Sequence, residues 1–147
     1  MTLNGKKTVL YALLMAGLFS ACSEAAVREQ RSQQMHVKIG PTTFTATLDS
    51  GAAAQAFKAL LPLTLTMTDL HRNEKFADLA SSLPVKATNP GRIRSGDLLL
   101  YGSKTVVLFY ETFPTSYSYT RLGRIENPQG LAKALGAGNV TVTFSLK

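Results

Sequence analysis

The residues best suited to chemistry lie between Ser116 and Arg124. Tyr117, Tyr119 and Arg121 recur at every second position. In an extended strand that spacing puts all three on one face, with Ser118, Thr120 and Leu122 on the other. Tyrosine rings give apolar walls with a polar tip. An arginine beside them can fork onto a carboxylate or carbonyl oxygen. Phe113-Pro114-Thr115, just upstream, reads as a loop able to close one side. Together these residues describe a small pocket for a peptide or an organic acid. A plainer arrangement fits the same pattern equally well: the tyrosines pack on an outer surface and Arg121 pairs with Glu74 or Glu111.

Other chemistries find less support. His36 and His71 are far apart and no Asp-rich loop accompanies them, so no metal site is expected. No paired carboxylates are adjacent, although Glu74 can converge with Asp78 or Asp97 in space. There is no Gly-x-Ser-x-Gly elbow. Asn89-Pro90-Gly91 and Gly136-Ala137-Gly138 lack the strand-to-helix setting of a phosphate cradle. No cofactor is expected. The chain is basic, with a formal net charge of +7, but its Lys and Arg residues are scattered and do not interleave with aromatics. Nucleic-acid binding is therefore not expected.

The single cysteine, Cys22, excludes an internal disulfide. Lys6 and Lys7 precede a short apolar run, Thr8 to Leu18, and small residues Ser20 and Ala21 follow. That order is a secretory signal, and the run is shorter than a bilayer-spanning helix requires. Leu18-Phe19-Ser20-Ala21-Cys22 resembles the bacterial lipobox, which implies lipidation of Cys22. Residues 1–21 are read as a signal peptide, 22–34 as the lipidated cysteine and a flexible tether, and 35–147 as the folded domain. Acyl chains on Cys22 would anchor the protein to a membrane on the periplasmic side. With Ser23 next, the sorting resembles that of outer-membrane lipoproteins in a Gram-negative cell. The oligomeric state stays open.

The elements that must position these residues are mostly strands. Phe44, Ala46 and Leu48 alternate with threonines, as do Leu63, Leu65 and Met67, and as Val140, Val142 and Phe144 alternate with Thr141, Thr143 and Ser145. Each such segment has one apolar and one hydroxyl-bearing face. Residues 97–101 and 105–110 are apolar throughout, so both faces are covered or one lines a pocket. A tight Gly102-Ser103 hairpin joins them. Further short strands are read at 35–39, 74–79, 92–94 and 117–125.

A first helix follows a cap at Asp49 or Ser50, with Ala53, Ala56, Phe57, Leu60 and Leu61 on one face. A second starts at Asn127-Pro128, buries Leu131, Ala134 and Leu135, and ends at Gly136. The pattern predicts a mainly β protein: a closed or nearly closed eight-stranded barrel capped by two short α-helices.

Several stretches resemble the bacterial cyclophilin-like family, a group with the cyclophilin barrel but without its usual isomerase motif. They include residues 42–48, 56–63, Asn73-Glu74-Lys75-Phe76, Asn89-Pro90-Gly91, 96–102, 108–110, 116–125 and 138–144. The resemblance covers residues 36–146. If the fold matches, Asn73, Glu74 and Phe76 lie near Phe113, Tyr117, Tyr119 and Arg121, and this set is the candidate ligand site. The reading it supports is an envelope-anchored domain that binds a peptide segment or small ligand. The alternative is an unconventional peptidyl-prolyl isomerase assisting exported proteins. Leu70-His71-Arg72 only faintly echoes the cyclophilin Phe-His-Arg, and a solvated turn is the expected role of His71-Arg72.

Overall fold

Alternating apolar and threonine residues need a curved sheet that hides one face, and the chain closes that sheet on itself. A computed structural model describes residues 22–31 and 33–147. The signal-peptide reading of residues 1–21 lies outside the described residues. Residues 22–31 form helix α1, exposed along its whole length. Alanine, glutamate, arginine and glutamine favour that conformation. No helix among the described residues is long and apolar enough to cross a membrane.

Residues Gln33–Lys147 form a separate compact unit. Its elements are β1 (Gln34–Ile39), β2 (Thr42–Leu48), α2 (Ala52–Ala59), β3 (Leu63–Leu70), β4 (Glu74–Asp78), β5 (Arg92–Ile93), β6 (Asp97–Tyr101), β7 (Thr105–Phe109), β8 (Phe113–Pro114), β9 (Thr120–Ile125), α3 (Leu131–Leu135) and β10 (Val140–Leu146). Eight strands close a barrel in the order β1-β10-β3-β4-β7-β6-β9-β2, every pair antiparallel. The mainly β barrel expected from the sequence is the observed fold.

The interior holds Met35, Val37, Ile39, Phe44, Ala46, Leu48, Met67, Leu98, Leu100, Val106, Leu108, Val142 and Phe144. Phe57 of α2 and Leu131 and Leu135 of α3 join the same core. Both helices thus pack apolar residues against it, but Leu60, expected on the buried face of the first helix, is its C-cap and is exposed. The Phe57 ring meets Phe144 edge-on, with centroids 5.5 Å apart.

A second, smaller core lies on the outer side of the barrel wall. Leu99, Val107 and Phe109 point away from the interior and pack with Ile93 and Tyr119, with Phe76 and Phe113 against them. This explains why β6 and β7 are apolar at consecutive positions: each buries one set of side chains inward and the other outward under loops.

Four local readings are corrected. Phe113-Pro114 is not loop but strand β8, pairing with β5 outside the barrel. Proline is tolerated there because a two-residue edge strand asks little of its missing N–H. The β6–β7 turn has three residues, Gly102 to Lys104, since Tyr101 pairs with Thr105. The cap of α2 is Gly51, while the Asp49 carboxylate accepts instead from the amides of Ser50 and Gly51 at 2.7 and 3.4 Å. Helix α3 begins at Leu131, not Pro128. Asn127 closes a turn by accepting from the Gln129 amide at 3.1 Å, and the chain passes through Gly130 first.

Candidate ligand cavity on the outer barrel wall

The outer face of β4 presents Glu74, Phe76 and Asp78, because Lys75 and Ala77 occupy the inward positions. On β7, Thr105 and Val107 face the same way, and on β6 so does Tyr101. Opposite them stands the segment from Phe113 to Tyr119. It is pinned by the turn at Asn89-Pro90-Gly91: the Asn89 side chain donates to Ser116 O at 3.2 Å, and the Thr115 amide donates to Gly91 O at 3.1 Å. Thr88 and Tyr119 exchange backbone hydrogen bonds of 2.9 and 3.0 Å.

Between wall and segment lies a cavity of about 580 Å³. Six of the seven residues expected at a ligand site line it: Asn73, Glu74, Phe76, Phe113, Tyr117 and Tyr119. That volume is in the range of small-molecule sites, roughly 300–1,000 Å³. Tyr101 was missed by sequence reasoning, which treated it as the end of a buried strand. Its ring is perpendicular to Tyr117 at 6.3 Å and tilted against Tyr119 at 5.8 Å. Tyr119 is buried, whereas Tyr117 is 62% and Tyr101 49% exposed.

Arg121 is elsewhere. It lines a different hollow with Asp49, Ser50, Lys86 and Thr120, and its Nε donates to the Asp49 carboxylate at 3.1 Å. Arg121 keeps the outward side expected of it, opposite Leu99, but does not reach the cavity. Tyr117 precedes β9, which starts only at Thr120. A bulge between Leu98 and Leu99 then shifts the β6–β9 register, so that Leu98 faces Gly123 and Leu99 faces Arg121. The Lys86–Thr88 segment binds the chain at Tyr119 and Thr120, between the two hollows. The partner of Arg121 is Asp49, neither Glu74 nor Glu111.

The electrostatics of the cavity follow from who lines it. Among the described residues no lysine or arginine does. Glu74 forms no ion pair or side-chain hydrogen bond there, and burial raises its carboxyl pKa above the ordinary value, with Asp69 adding to the effect and His71 opposing it. Burial, and then the charge of Glu74, push the Tyr119 phenol up. The Oδ1 of Asn73 is buried and accepts no hydrogen bond. Asp78 accepts from the Thr105 hydroxyl at 2.6 Å.

The cavity rim is a tight turn, Leu70-His71-Arg72-Asn73, closed by the Asn73 amide donating to Leu70 O at 3.2 Å. His71 and Arg72 both take left-handed backbone, φ 54° and 56°. Asp69 helps hold it by accepting from the Arg72 amide at 3.1 Å. Among the described residues, no group of three or more His, Cys, Asp or Glu is placed to hold a metal ion.

The sequence model of the cyclophilin-like family matches residues 37–145. The chain therefore belongs to the cyclophilin-like family. The solution structure of a hypothetical protein from Archaeoglobus fulgidus superimposes with a TM-score of 0.54 at 16% identity, covering 80% of this chain and 97% of that one. At that identity the likeness is one of fold. No curated protein matches the chain.

Proposed function

We propose that this protein is a binding domain tethered to the cell envelope, which holds a peptide segment or small organic ligand in the cavity between β4, β7 and the Phe113–Tyr119 segment. The observation that carries the reading is the convergence of Phe76, Tyr101, Phe113, Tyr117 and Tyr119 on one open hollow beside Glu74. Exposed aromatic rings around a concave site favour contact with a partner over contact with water.

Binding is favoured over prolyl isomerisation for a chemical reason. Stabilising a twisted amide calls for a hydrogen-bond donor fixed beside it. In the cyclophilin pattern that donor is an arginine, and here Arg121 is engaged with Asp49 outside the cavity. With Arg121 removed from the site, the organic-acid ligand also loses its cationic partner.

The test is titration of the full chain in detergent with short peptides, followed by tyrosine fluorescence, beside a proline-peptide isomerisation assay. Saturable binding that weakens about tenfold in Tyr117→Leu and is unchanged in Arg121→Ala is expected. Absence of binding at millimolar peptide overturns the reading. Rate acceleration of isomerisation would replace it with the enzyme. The envelope placement rests on residues 1–22 of the sequence, with an exposed thiol at Cys22. Cys22→Ser is expected to abolish lipid labelling and release the chain from membranes, and retained attachment refutes the anchor.

A further inference from the structure

The proposed cavity has a sign. The chain carries 16 Lys and Arg residues against 9 Asp and Glu. Yet the charged side chains among the described lining residues are Glu74 and Asp78, with His71 at the rim. Glu74 is half-buried at the wall and has no hydrogen-bonding partner. The Lys75 ammonium next to it in sequence points through the sheet to the inner side, where Asp69 and the carbonyls of Gly136 and Gly138 satisfy it. Glu74 therefore faces no lysine or arginine, and His71 at the rim is the basic group that acts on it.

Beside it stand three tyrosine rings. Tyr101 and Tyr117 meet at 88° and Tyr101 and Tyr119 at 54°. All three rings line the same hollow, and aromatic rings there offer π-electron density to a cation. Such walls attract a cation, and more so once it is partly desolvated. An anion gains nothing from either feature, and a neutral apolar group leaves Glu74 uncompensated.

We propose that the cavity selects an organic cation, an alkylammonium or guanidinium group seated against Tyr101, Tyr117 and Tyr119 and neutralised by Glu74. This rests on the binding reading above and names the class of ligand. The same chemistry is offered by a Lys or Arg side chain in an extended peptide or by a free amine. The openness of the site on the barrel's outer wall admits both.

The experiment titrates the full chain in detergent with three otherwise identical blocked tripeptides carrying lysine, norleucine or glutamate at the centre, and with butylammonium as the free amine. The lysine peptide is expected to bind about tenfold more tightly than the norleucine peptide, with the glutamate peptide weakest. Glu74→Gln should remove most of that preference. Tyr117→Leu, at an exposed position where folding is not at risk, should reduce it as well. Butylammonium binding as tightly as the lysine peptide assigns the site to free amines; much weaker binding assigns it to basic peptide side chains. Equal binding of lysine and norleucine peptides, unaffected by Glu74→Gln, overturns the cation inference and leaves the binding function standing. No binding of any probe removes both.

Discussion

The ammonium nitrogen of Lys75 lies 2.9 Å from the Asp69 carboxylate, across a β3–β4 register pair, with the lysine side chain wholly buried. The same nitrogen donates to the carbonyl oxygens of Gly136 and Gly138 at 2.8 and 2.7 Å, and sits 5.6 Å from the centre of the Tyr110 ring. One side chain thus ties the barrel wall to the loop between α3 and β10. A lysine in such a place is stable only with its full set of acceptors.

Lys75→Ala is therefore expected to lower unfolding free energy by about 3 kcal/mol or more, since it takes the cation from Asp69 and the donor from two carbonyls and empties the buried space of the stem. Lys75→Met keeps the volume and should fall between the two. Urea unfolding curves check this. Superimposable curves for wild type and Lys75→Ala would refute it.

The same cluster sets a pH dependence. Hydrogen bonds from the Tyr110 hydroxyl and the Lys75 ammonium hold the Asp69 carboxyl below its ordinary value of 3.8. Its contribution to stability is thus complete above that value and is lost as pH falls toward and through the lowered one. Burial and the Asp69 carboxylate push the Tyr110 phenol above its ordinary value of 10.0. That contribution is complete below the ordinary value and is lost as pH rises past it. Melting temperature should form a plateau between about pH 5 and pH 9 and fall on both sides. Tyr110→Phe should flatten the alkaline fall and soften the acid one, as circular dichroism melts across the range will show.

The β3–β4 turn is a strained place. Two consecutive non-glycine residues, His71 and Arg72, hold positive φ, at a cost of roughly 1 kcal/mol or more each. Asparagine followed by glycine suits that backbone best. The double substitution His71→Asn with Arg72→Gly is expected to raise stability by about 1 kcal/mol by chemical denaturation. A loss of stability would mean that the two side chains contribute more than the turn costs.

Barrel closure at β9 depends on Gly123. A Cβ there would stand 2.5 Å from the Thr47 carbonyl oxygen on β2, a backbone atom unable to move aside cheaply. Gly123→Ala should cost about 2 kcal/mol or more. Gly51→Ala, where a Cβ meets nothing within 4 Å, should change stability by less than about 1 kcal/mol. Equal unfolding midpoints for the two variants would show that β2 and β9 can separate to accommodate the methyl group.

Much of the barrel could be read along the chain because its signal is local. Threonine alternating with Val, Leu or Phe declares which side of a strand meets the core, and the continuous apolar runs of β6 and β7 announce coverage on both faces. Asn73, Glu74, Phe76, Phe113, Tyr117 and Tyr119 were legible as a set only through the resemblance, since residues forty positions apart share no local pattern. Lys75, Asp69 and Tyr110 carried no sequence signal at all: a lysine within a strand reads as solvent-facing until the sheet curves around it. Tyr101 looked like a strand end for the same reason.

What residue order alone determined, then, was the alternation that makes each strand two-faced and the helical stripes that fill the barrel. Where Arg121 points was decided in three dimensions. The Lys86–Thr88 segment binds the chain at Tyr119 and Thr120, and the guanidinium pairs with Asp49. Periodicity fixes which face a side chain occupies, but only register and the packing of distant segments fix which neighbour it meets on that face.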